Sequence, residues 1–373
     1  MEHNFKPGRG SYTIGIEEEL MILDGESLDL ANAIEHLAES SDDGTVKPEL
    51  HESVLEIATK PAAGLPEAGD QLRGLRDLVR ARAAGRGLAI AASGTHPFAR
   101  WEDQRITAQE RYRDLVGQLG FVARQELIFG QHVHVGVDDP DKAIYVANGL
   151  RLHVPILQAL SANSPFWRGE STGMASTRMP VFRQFPRVGI PPRYGDWDDW
   201  TRRIGFMVDA GMVSDHTWFW WDVRISPEFG TVEVRSLDVQ TRVEHALALA
   251  ALVQAMVKEL AEAYDASEPP VQVDHEMISE NKWQAARHGL EGELVDLPSA
   301  ERVPAADLAR RVYDRLREHA QDLGAADDLD ALTELLDSGN GAIRQRLVYE
   351  ANHDFRELVA HLADAGGGSQ TPA

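Results

Sequence analysis

The sequence contains no cysteine, which excludes disulfides, thiolate metal sites and a cysteine nucleophile. Any metal ion must therefore be held by aspartate, glutamate and histidine side chains. Lysine is scarce, with 6 lysines against 31 arginines, and acidic residues outnumber basic ones by 60 to 37. The formal net charge of -23 repels nucleic acids and anionic membrane surfaces, so we expect neither as a partner.

Long hydrophobic runs are absent as well. No window of about 20 apolar residues occurs, and the first residues lack an apolar stretch of signal-peptide length. The longest mostly apolar segment, residues 246–257, is bounded by Glu244 and Lys258. We therefore expect a cytoplasmic protein, and the 43% hydrophobic content of its 373 residues can fill a substantial core.

The common nucleotide-binding and hydrolase motifs are also missing. The sequence has no GxxxxGK[ST] and no GxGxxG after a strand, so ATP binding would require another fold. One GxSxG motif, GESTG at residues 169–173, would make Ser171 a candidate nucleophile. A nucleophile elbow needs a buried strand before the serine and a helix after it, whereas prolines at 165 and 180 flank this motif.

Strands are scattered among helices without the regular alternation of a doubly wound sheet, which predicts an α+β fold. Residue periodicity predicts strands over 11–23, 46–59, 88–93, 131–137, 218–226 and 231–237. It predicts helices over 31–38, 66–85, 109–119, 140–162, 244–264, 304–319, 328–337 and 342–362. We expect one catalytic domain over residues 1–365, with a loop-rich region over 165–200 and a disordered tail over 366–373.

Several predicted strands have one apolar face and one face carrying acidic or histidine side chains. Side chains at i and i+2 share a face of a strand, and those at i and i+4 share a face of a strand or a helix. The resulting same-face pairs are Glu17 with Glu19, Glu52 with Glu56, and His132 with His134. One such face is ordinarily solvated, but several in one chain indicate that they converge on a site.

The segment GTVEVRSLD, residues 230–238, follows the same pattern. Alternation predicts Thr231, Glu233, Arg235 and Leu237 on one side of a strand, with the valines between them on the other. A weak surface ion pair is one interpretation, since such pairs contribute about 0 to 1 kcal/mol. The other is that Glu233 and Arg235 face a shared cleft, where they need not be each other's partners.

Converging carboxylates repel one another unless a cation lies between them. Mg²⁺ prefers oxygen ligands and is usually shared between protein carboxylates and substrate phosphates. Five glutamates with one or two histidines exceed the ligand set of one ion, so two or three ions with a bound nucleotide fit better. Arg235 would then face a phosphoryl group whose charge grows during transfer.

Six segments together resemble the glutamate-cysteine ligase type 2 family, also called carboxylate-amine ligases. In chain order they are GIEEEL, ESVLEIAT, GQHVHVGV, SANSPFWRG, ASTRMPVF and TVEVRSLD, and the resemblance covers residues 12–262. It implies a glutamine synthetase-like fold with a curved, mostly antiparallel sheet and helices packed outside. It also implies ATP and two or three Mg²⁺ ions, with Mn²⁺ as a substitute, and a homodimer.

The resemblance assigns roles to residues that match its motifs. It makes metal ligands of Glu17, Glu19, Glu52, Glu56, His132 and Glu233. His132 and Arg235 would also contact the nucleotide phosphates, with Arg235 steadying the transferred phosphoryl group, while Arg178 would clamp the substrate carboxylate. His134, Arg168 and Glu18 receive no role.

The implied reaction joins a carboxylate, such as the γ-carboxylate of glutamate, to an amino acid or another amine through an acyl phosphate. Weak glutamate-cysteine ligase activity would accompany it. Two alternatives remain open at this stage. One is a metal-dependent or serine amidohydrolase, and the other is a non-catalytic nucleotide-binding relative.

Overall fold

The computed structural model describes residues 5–6, 11–38 and 44–366, so all but the first residue of the predicted disordered tail lies outside it. A seven-stranded sheet contains β1 (Ile14–Asp24), β2 (Val46–Pro48), β3 (Val54–Ala58), β4 (Leu88–Ala91), β5 (Gly130–Gly136), β6 (Val223–Ser226) and β7 (Thr231–Asp238). Its order is β6-β7-β5-β1-β3-β2, and β4 pairs with the far end of β1. Every pairing in this sheet is antiparallel.

Helices make up most of the remaining described structure. They are α1 (Ile34–Ala38), α2 (Leu65–Ala84), α3 (Glu110–Leu119), α4 (Phe121–Arg124), α5 (Pro140–Ser161), α6 (Arg178–Phe182), α7 (Trp197–Asp209), α8 (Val243–Asp265), α9 (His275–His288), α10 (Ala305–Asp322), α11 (Ala326–Asp330), α12 (Leu332–Ser338), α13 (Gly341–Asn352) and α14 (Phe355–Ala365). Short 3-10 turns cover Trp101–Asp103, His216–Trp218 and Gly289–Glu291. Small two-stranded ribbons pair Phe166–Trp167 with Glu170–Ser171, Val188–Gly189 with Trp220–Trp221, and Glu293–Asp296 with Glu301–Pro304.

Helices α2, α5 and α8 pack against one face of the sheet because that face is apolar. The alternation predicted for the first strand places Ile14, Ile16 and Leu20 on this face, each at most 1% exposed. Val133 and Val232 continue the same face on β5 and β7. The mostly apolar segment 246–257 lies within α8 and is buried along its whole length. The opposite face of the sheet therefore remains available for polar side chains.

Glu18 lies on the apolar face, where an unpaired carboxylate would be strongly unfavourable. Arg76 of α2 supplies its partner, with Nε and Nη2 each donating to one Glu18 oxygen at 2.7 Å. The same guanidinium donates to the backbone oxygens of Gln240 and Thr241. Both side chains are at most 2% exposed, so this ion pair fixes α2 and the start of α8 to the central strand.

Periodicity did not predict helices α4, α6, α7 and α9, and it merged α13 and α14 into one helix. Helix α7 lies at the end of the region predicted as loop, although Asp196 caps it by accepting a hydrogen bond from the backbone of Asp199. The helix predicted over 342–362 is divided into α13 and α14, because His353 adopts a left-handed conformation with φ of 52°.

His96 stabilises the loop after β4 in its neutral form. Its Nδ1 accepts hydrogen bonds from the backbone of Phe98 and Ala99, so Nε2 carries the proton and lies 3.0 Å from the Leu28 carbonyl oxygen. Burial lowers the pKa of His96 to about 4. Protonation of Nδ1 would break two hydrogen bonds and bury a charge.

We expect the stability of the fold to decrease with acid through this side chain. The depressed folded-state pKa means that the unfolded chain binds the proton first, so stability is present above pH about 6.5 and is lost as pH falls toward about 4. His96→Asn offers an acceptor oxygen in place of Nδ1 but does not titrate. Its deficit in unfolding free energy relative to wild type should shrink by about 1.4 kcal/mol per pH unit in this window, measured by urea denaturation. A constant deficit would contradict the prediction.

Among the helices in the described ranges, none is both long and apolar enough to cross a membrane.

Candidate active site

The strand register brings the predicted polar side chains together on the face opposite the helices. Glu17 pairs with His132 across β1 and β5, and Glu19 pairs with Glu56 across β1 and β3. Glu233 pairs with His134 across β7 and β5. Cross-strand neighbours point to the same side of a sheet, so four strands contribute to one polar surface.

Three of these side chains form a compact group of potential ligands. The ligand atoms of Glu17, His134 and Glu233 all lie within 4.8 Å of one another. His134 Nε2 is 3.7 Å from Glu17 Oε1 and 3.6 Å from Glu233 Oε1, and it has no hydrogen-bond partner. His132 Nδ1 lies 3.2 Å from the other Glu17 oxygen. His134, which received no role from the sequence, is thus as central as His132.

A β-bulge in β7 changes the predicted arrangement of the segment GTVEVRSLD. The register shifts between Val234 and Leu237, and the backbone N–H of Arg235 donates to the Asp222 carbonyl oxygen at 2.8 Å. Leu237 consequently pairs with Gln131 on the helix-covered face, so the prediction that it shares a side with Glu233 was wrong. The bulge also brings Asp238 onto the polar face opposite Gly130, a position that simple alternation could not indicate.

Glu233 is paired with two arginines, contrary to the expectation that it and Arg235 act apart. Arg235 Nη1 donates to Glu233 Oε1, and Arg224 Nε donates to Oε2 at 2.8 Å. Burial alone would raise the pKa of Glu233, but the charges of Arg224 and Arg235 hold it below the usual range. Glu233, which is 0% exposed, therefore remains ionised beneath the polar surface.

The polar face borders a cavity of about 370 Å³. Six predicted site residues line it, namely Glu17, Glu19, Glu56, His132, Arg178 and Arg235. Aromatic side chains form much of the remaining wall, namely Tyr112, Phe182, Phe185, Trp218, Trp220 and Phe229. A larger cavity of about 500 Å³, between α5, α8 and α10, contains none of the predicted residues.

Glu52 does not line the cavity. It lies in a turn before β3, and its carboxylate pairs with Arg105 at 2.6 Å. The prediction that it shares a face with Glu56 was wrong because residues 46–58 form a hairpin, in which Lys47 pairs with Glu56. Glu49, at the end of β2, occupies the cavity wall instead. Pro48, where β2 ends, is the sequence feature that could have indicated this hairpin.

Two carboxyl groups of the cavity wall, Glu49 and Glu56, are buried close to other carboxylates. Lys47 Nζ pairs with Glu56 at 2.8 Å, yet burial and the charge of Glu17 still raise the pKa of Glu56. Burial, with the charges of Glu56 and Glu19, raises the pKa of Glu49 well above its usual value. Oxygen donors that repel one another in this way fit a hard divalent cation.

Glu17 behaves differently from these two carboxylates. Burial raises its pKa, but the hydrogen bond with His132 and the charges of His134 and His132 outweigh this and keep the pKa well below the usual range. Burial lowers the pKa of His134, whereas Glu233 and Glu17 raise it by a larger amount. The Glu17 carboxylate and the His134 imidazole therefore favour each other's charged forms.

Arg178 also lines the cavity, at the start of α6, where the loop 163–177 ends. Asp238 holds this loop by accepting hydrogen bonds from the backbone of Asn163 at 2.9 Å and from the hydroxyls of Ser164 and Ser176. The guanidinium stacks over Phe182, 5.6 Å from the ring centre. It passes so close to Gly130 that a Cβ there would collide with Nη2.

Ser171 of the GESTG motif lies elsewhere. It is exposed on a two-residue strand paired with Phe166 and does not line the cavity. Arg168, in the same ribbon, pairs with Glu102 at 2.8 Å. Neither residue therefore lines the cavity that contains Glu17, Glu19 and Glu56.

Comparison with known sequences decides the family. A family model described as "Glutamate-cysteine ligase family 2(GCS2)" matches residues 13–361. The chain belongs to this family. "Putative glutamate–cysteine ligase 2-1" of Rubrobacter xylanophilus is 43% identical over 367 residues, covering 98% of this chain and 97% of that protein. "Putative glutamate–cysteine ligase 2" of Sorangium cellulosum is 39% identical over 360 residues, covering 95% and 96%.

Solved structures support the same fold at low sequence identity. The glutamate–cysteine ligase of Francisella tularensis, in complex with AMP, has a TM-score of 0.73 at 14% identity, covering 99% of this chain and 91% of that chain. A bifunctional glutathione synthetase from Pasteurella multocida has a TM-score of 0.70 at 15% identity, covering 95% of this chain and 52% of that one. The predicted α+β, glutamine synthetase-like fold is confirmed, and family membership makes the chain a carboxylate-amine ligase.

Proposed function

We propose that this family member is an ATP- and Mg²⁺-dependent carboxylate-amine ligase that acts through an acyl phosphate, with glutamate or a similar carboxylate as donor. One observation carries the proposal, which is the convergence of Glu17, Glu19, Glu49 and Glu56 with Arg235 on one cavity. Carboxylates in this number accommodate cations, and a guanidinium among them accommodates a phosphate. The AMP in the Francisella structure supports an adenine nucleotide as the second ligand.

The cavity-lining residues that would hold Mg²⁺ are Glu17, Glu19, Glu49, Glu56 and His132. Glu233 and His134 lie beneath Glu17 as further potential ligands. We propose Glu49 in place of Glu52, because Glu49 lines the cavity and Glu52 does not. Bound Mg²⁺ would neutralise the triphosphate and offset the negative charge that grows on the transferred phosphoryl oxygens.

Arg235 would contact the transferred phosphoryl group, with His132 near the nucleotide phosphates. Arg178, in the wall of the same cavity, would orient the donor by binding one carboxylate, so that a second carboxylate can attack the γ-phosphorus and release ADP. The amine would then displace phosphate from the acyl phosphate and form the amide. We propose that residues 1–365 act as one catalytic unit on small molecules, and a homodimer stays a prediction.

The test measures ADP and phosphate release from ATP with L-glutamate while the amine is varied. We expect turnover that EDTA abolishes and Mg²⁺ restores, and a loss of at least about 100-fold in Glu233→Gln. Glu276→Gln is the matched control, because Glu276 is an exposed residue of α9 outside the cavity.

Each alternative gives a different result in the same assays. Amide hydrolysis without ATP that Ser171→Ala abolishes would favour a serine hydrolase. Thermal stabilisation by ATP with Mg²⁺ but without turnover would favour a binding protein. If no amine supports Mg²⁺-dependent release and Glu233→Gln behaves as wild type, the proposal fails.

Gly130→Ala tests the position of Arg178 separately. The added Cβ would meet the guanidinium, so we expect the KM for the carboxylate donor to rise about tenfold while the KM for ATP changes little. Gly117→Ala in α3 is the control, because a Cβ added there would meet no atom within 4 Å and the helix tolerates alanine. An unchanged donor KM in Gly130→Ala would contradict this placement.

A further inference from the structure

The backbone of Arg235 is held at both of its polar groups. Its N–H donates to the Asp222 carbonyl oxygen at 2.8 Å, and its carbonyl oxygen accepts from Arg178 Nη2 at 3.3 Å. The bulge interrupts the ladder with β5 at this point, since the register shifts between Val234 and Leu237. The orientation of Arg235 therefore depends on Asp222 and Arg178 rather than on regular pairing with β5.

Asp222 is fixed by its side chain as well as by its backbone. It immediately precedes β6 and is 1% exposed, and its N–H donates to the Gly189 carbonyl oxygen at 2.9 Å. Both of its carboxylate oxygens accept from Lys282 Nζ at 2.7 Å, and Lys282 is 7% exposed on α9. Removal of either member of a buried ion pair leaves a costly unpaired charge, so each residue holds the other in place.

Helix α9 also holds the segment that leads to Arg178. The backbone N–H groups of Ala175 and Ser176 both donate to the Ala286 carbonyl oxygen at 2.9 Å. Lys282 and Ala286 are four residues apart, which is about one turn of the helix. One turn of α9 is thus connected to both arginines of the cavity, to one through the ion pair and to the other through this segment.

We propose that Lys282 and Asp222 are positioning residues that direct the Arg235 side chain toward the transferred phosphoryl group. This inference rests on the function proposed above. Glu233 holds the guanidinium itself, and the ion pair fixes the backbone from which that guanidinium extends. Neither Lys282 nor Asp222 lines the active-site cavity, so both act through Arg235 and not by contact with a substrate.

Loss of the ion pair should lower kcat more than it changes the KM for ATP. We expect Lys282→Met to lower kcat by at least about 30-fold, because the unpaired Asp222 shifts and the Arg235 N–H shifts with it. The KM for ATP should change by less than about threefold. Steady-state ADP release from the full chain at saturating Mg²⁺ measures both quantities.

Lys282→Arg should restore kcat to within about fivefold of wild type, because a guanidinium can also donate to both oxygens of a carboxylate. A cavity of about 80 Å³ that Lys282 lines leaves room for the larger side chain. Recovery by this variant indicates that the charge and the hydrogen bonds to Asp222 matter, rather than the exact shape of the lysine.

A double-variant cycle distinguishes positioning from a general loss of folded enzyme. If the ion pair acts through Arg235, Lys282→Met should lower kcat by less than about threefold once Arg235→Lys is present. A merely structural contribution would lower the rate by the same factor in both backgrounds. Asp222→Asn is a milder second variant, because it keeps an acceptor oxygen for Lys282. We expect it to lower kcat by about fivefold in wild type and to have little effect beside Arg235→Lys.

Lys258→Met is the matched control. Lys258 is 8% exposed on α8, and its Nζ pairs with Glu262 at 2.6 Å and with Asp322 at 3.0 Å. None of these three residues lines the active-site cavity. Its replacement also removes a largely buried ammonium from an ion pair, so we expect lower stability with a kcat within about twofold of wild type.

Two results would overturn the inference. One is a kcat within about threefold of wild type in both Lys282→Met and Asp222→Asn. The other is an equal loss of kcat with and without Arg235→Lys. Failure of the broader proposal is visible separately, since wild type would then show no Mg²⁺-dependent ADP release with any amine.

Discussion

Replacing Arg235 by lysine should lower the rate of ADP formation by about 10³-fold. The planar guanidinium can hold Glu233 and present further donors to a phosphoryl group, whereas a lysine ammonium is a single point of charge. The β-bulge fixes the backbone of Arg235, so a shorter reach to the phosphate cannot be recovered by a shift along the strand. Transition-state contacts are lost more than ground-state contacts, so we expect kcat to fall while the KM for ATP changes less.

The measurement is steady-state ADP release at saturating Mg²⁺, with Arg202→Lys as control. Arg202 is 72% exposed on α7 and pairs with Asp199, so its replacement should leave the rate unchanged. Retention of charge at position 235 keeps Glu233 paired, which limits loss of stability. If kcat in Arg235→Lys stays within about threefold of wild type, Arg235 does not face the transferred group.

The second large effect concerns stability. Arg76→Met should lower the free energy of unfolding by about 3 to 5 kcal/mol, because it leaves the buried Glu18 without a counterion. The backbone oxygens of Gln240 and Thr241 lose their donor at the same time. Urea denaturation followed by circular dichroism measures this change.

A double variant separates the destabilisation caused by an unpaired buried charge from the net contribution of the ion pair to the free energy of unfolding. Glu18→Leu with Arg76→Met removes both charges and puts apolar groups in their place, and such replacements are often close to neutral. We therefore expect the double variant to be more stable than Arg76→Met alone. If Arg76→Met costs less than about 1 kcal/mol, water must reach Glu18 in the folded protein and the pair is not isolated from solvent.

Sequence alternation predicted which residues of β1 and β5 share a polar face, because period-2 patterns are local. It could not predict the register that pairs Glu17 with His132, since register depends on neighbours distant in the chain. Alternation also assumes a uniform strand. The hairpin places Glu49, and not Glu52, at the cavity, and the bulge turns Leu237 to the helix-covered face, so both depart from that assumption.

The other unpredicted features come from contacts between distant segments. Glu126 and Arg178 line one cavity, because the connection into β5 and the start of α6 both border it, although 52 residues separate them in the sequence. Glu18 was noticed as an interruption of an apolar face, but its partner on α2 is 58 residues away. A charged residue in an otherwise apolar pattern therefore indicates a buried ion pair, but the pattern does not identify the partner residue.

The bulge in β7 has a consequence for the length of this segment in related chains. Glu233 and Asp238 are five positions apart, an odd spacing that would place them on opposite sides of a regular strand, yet both face β5 from the same side. A regular strand of the same length would instead place Asp238 on the helix-covered side, away from the loop 163–177 that it holds. Length, and not only residue identity, is therefore a constraint on this strand, and two buried acids at odd separation can reveal the bulge from sequence.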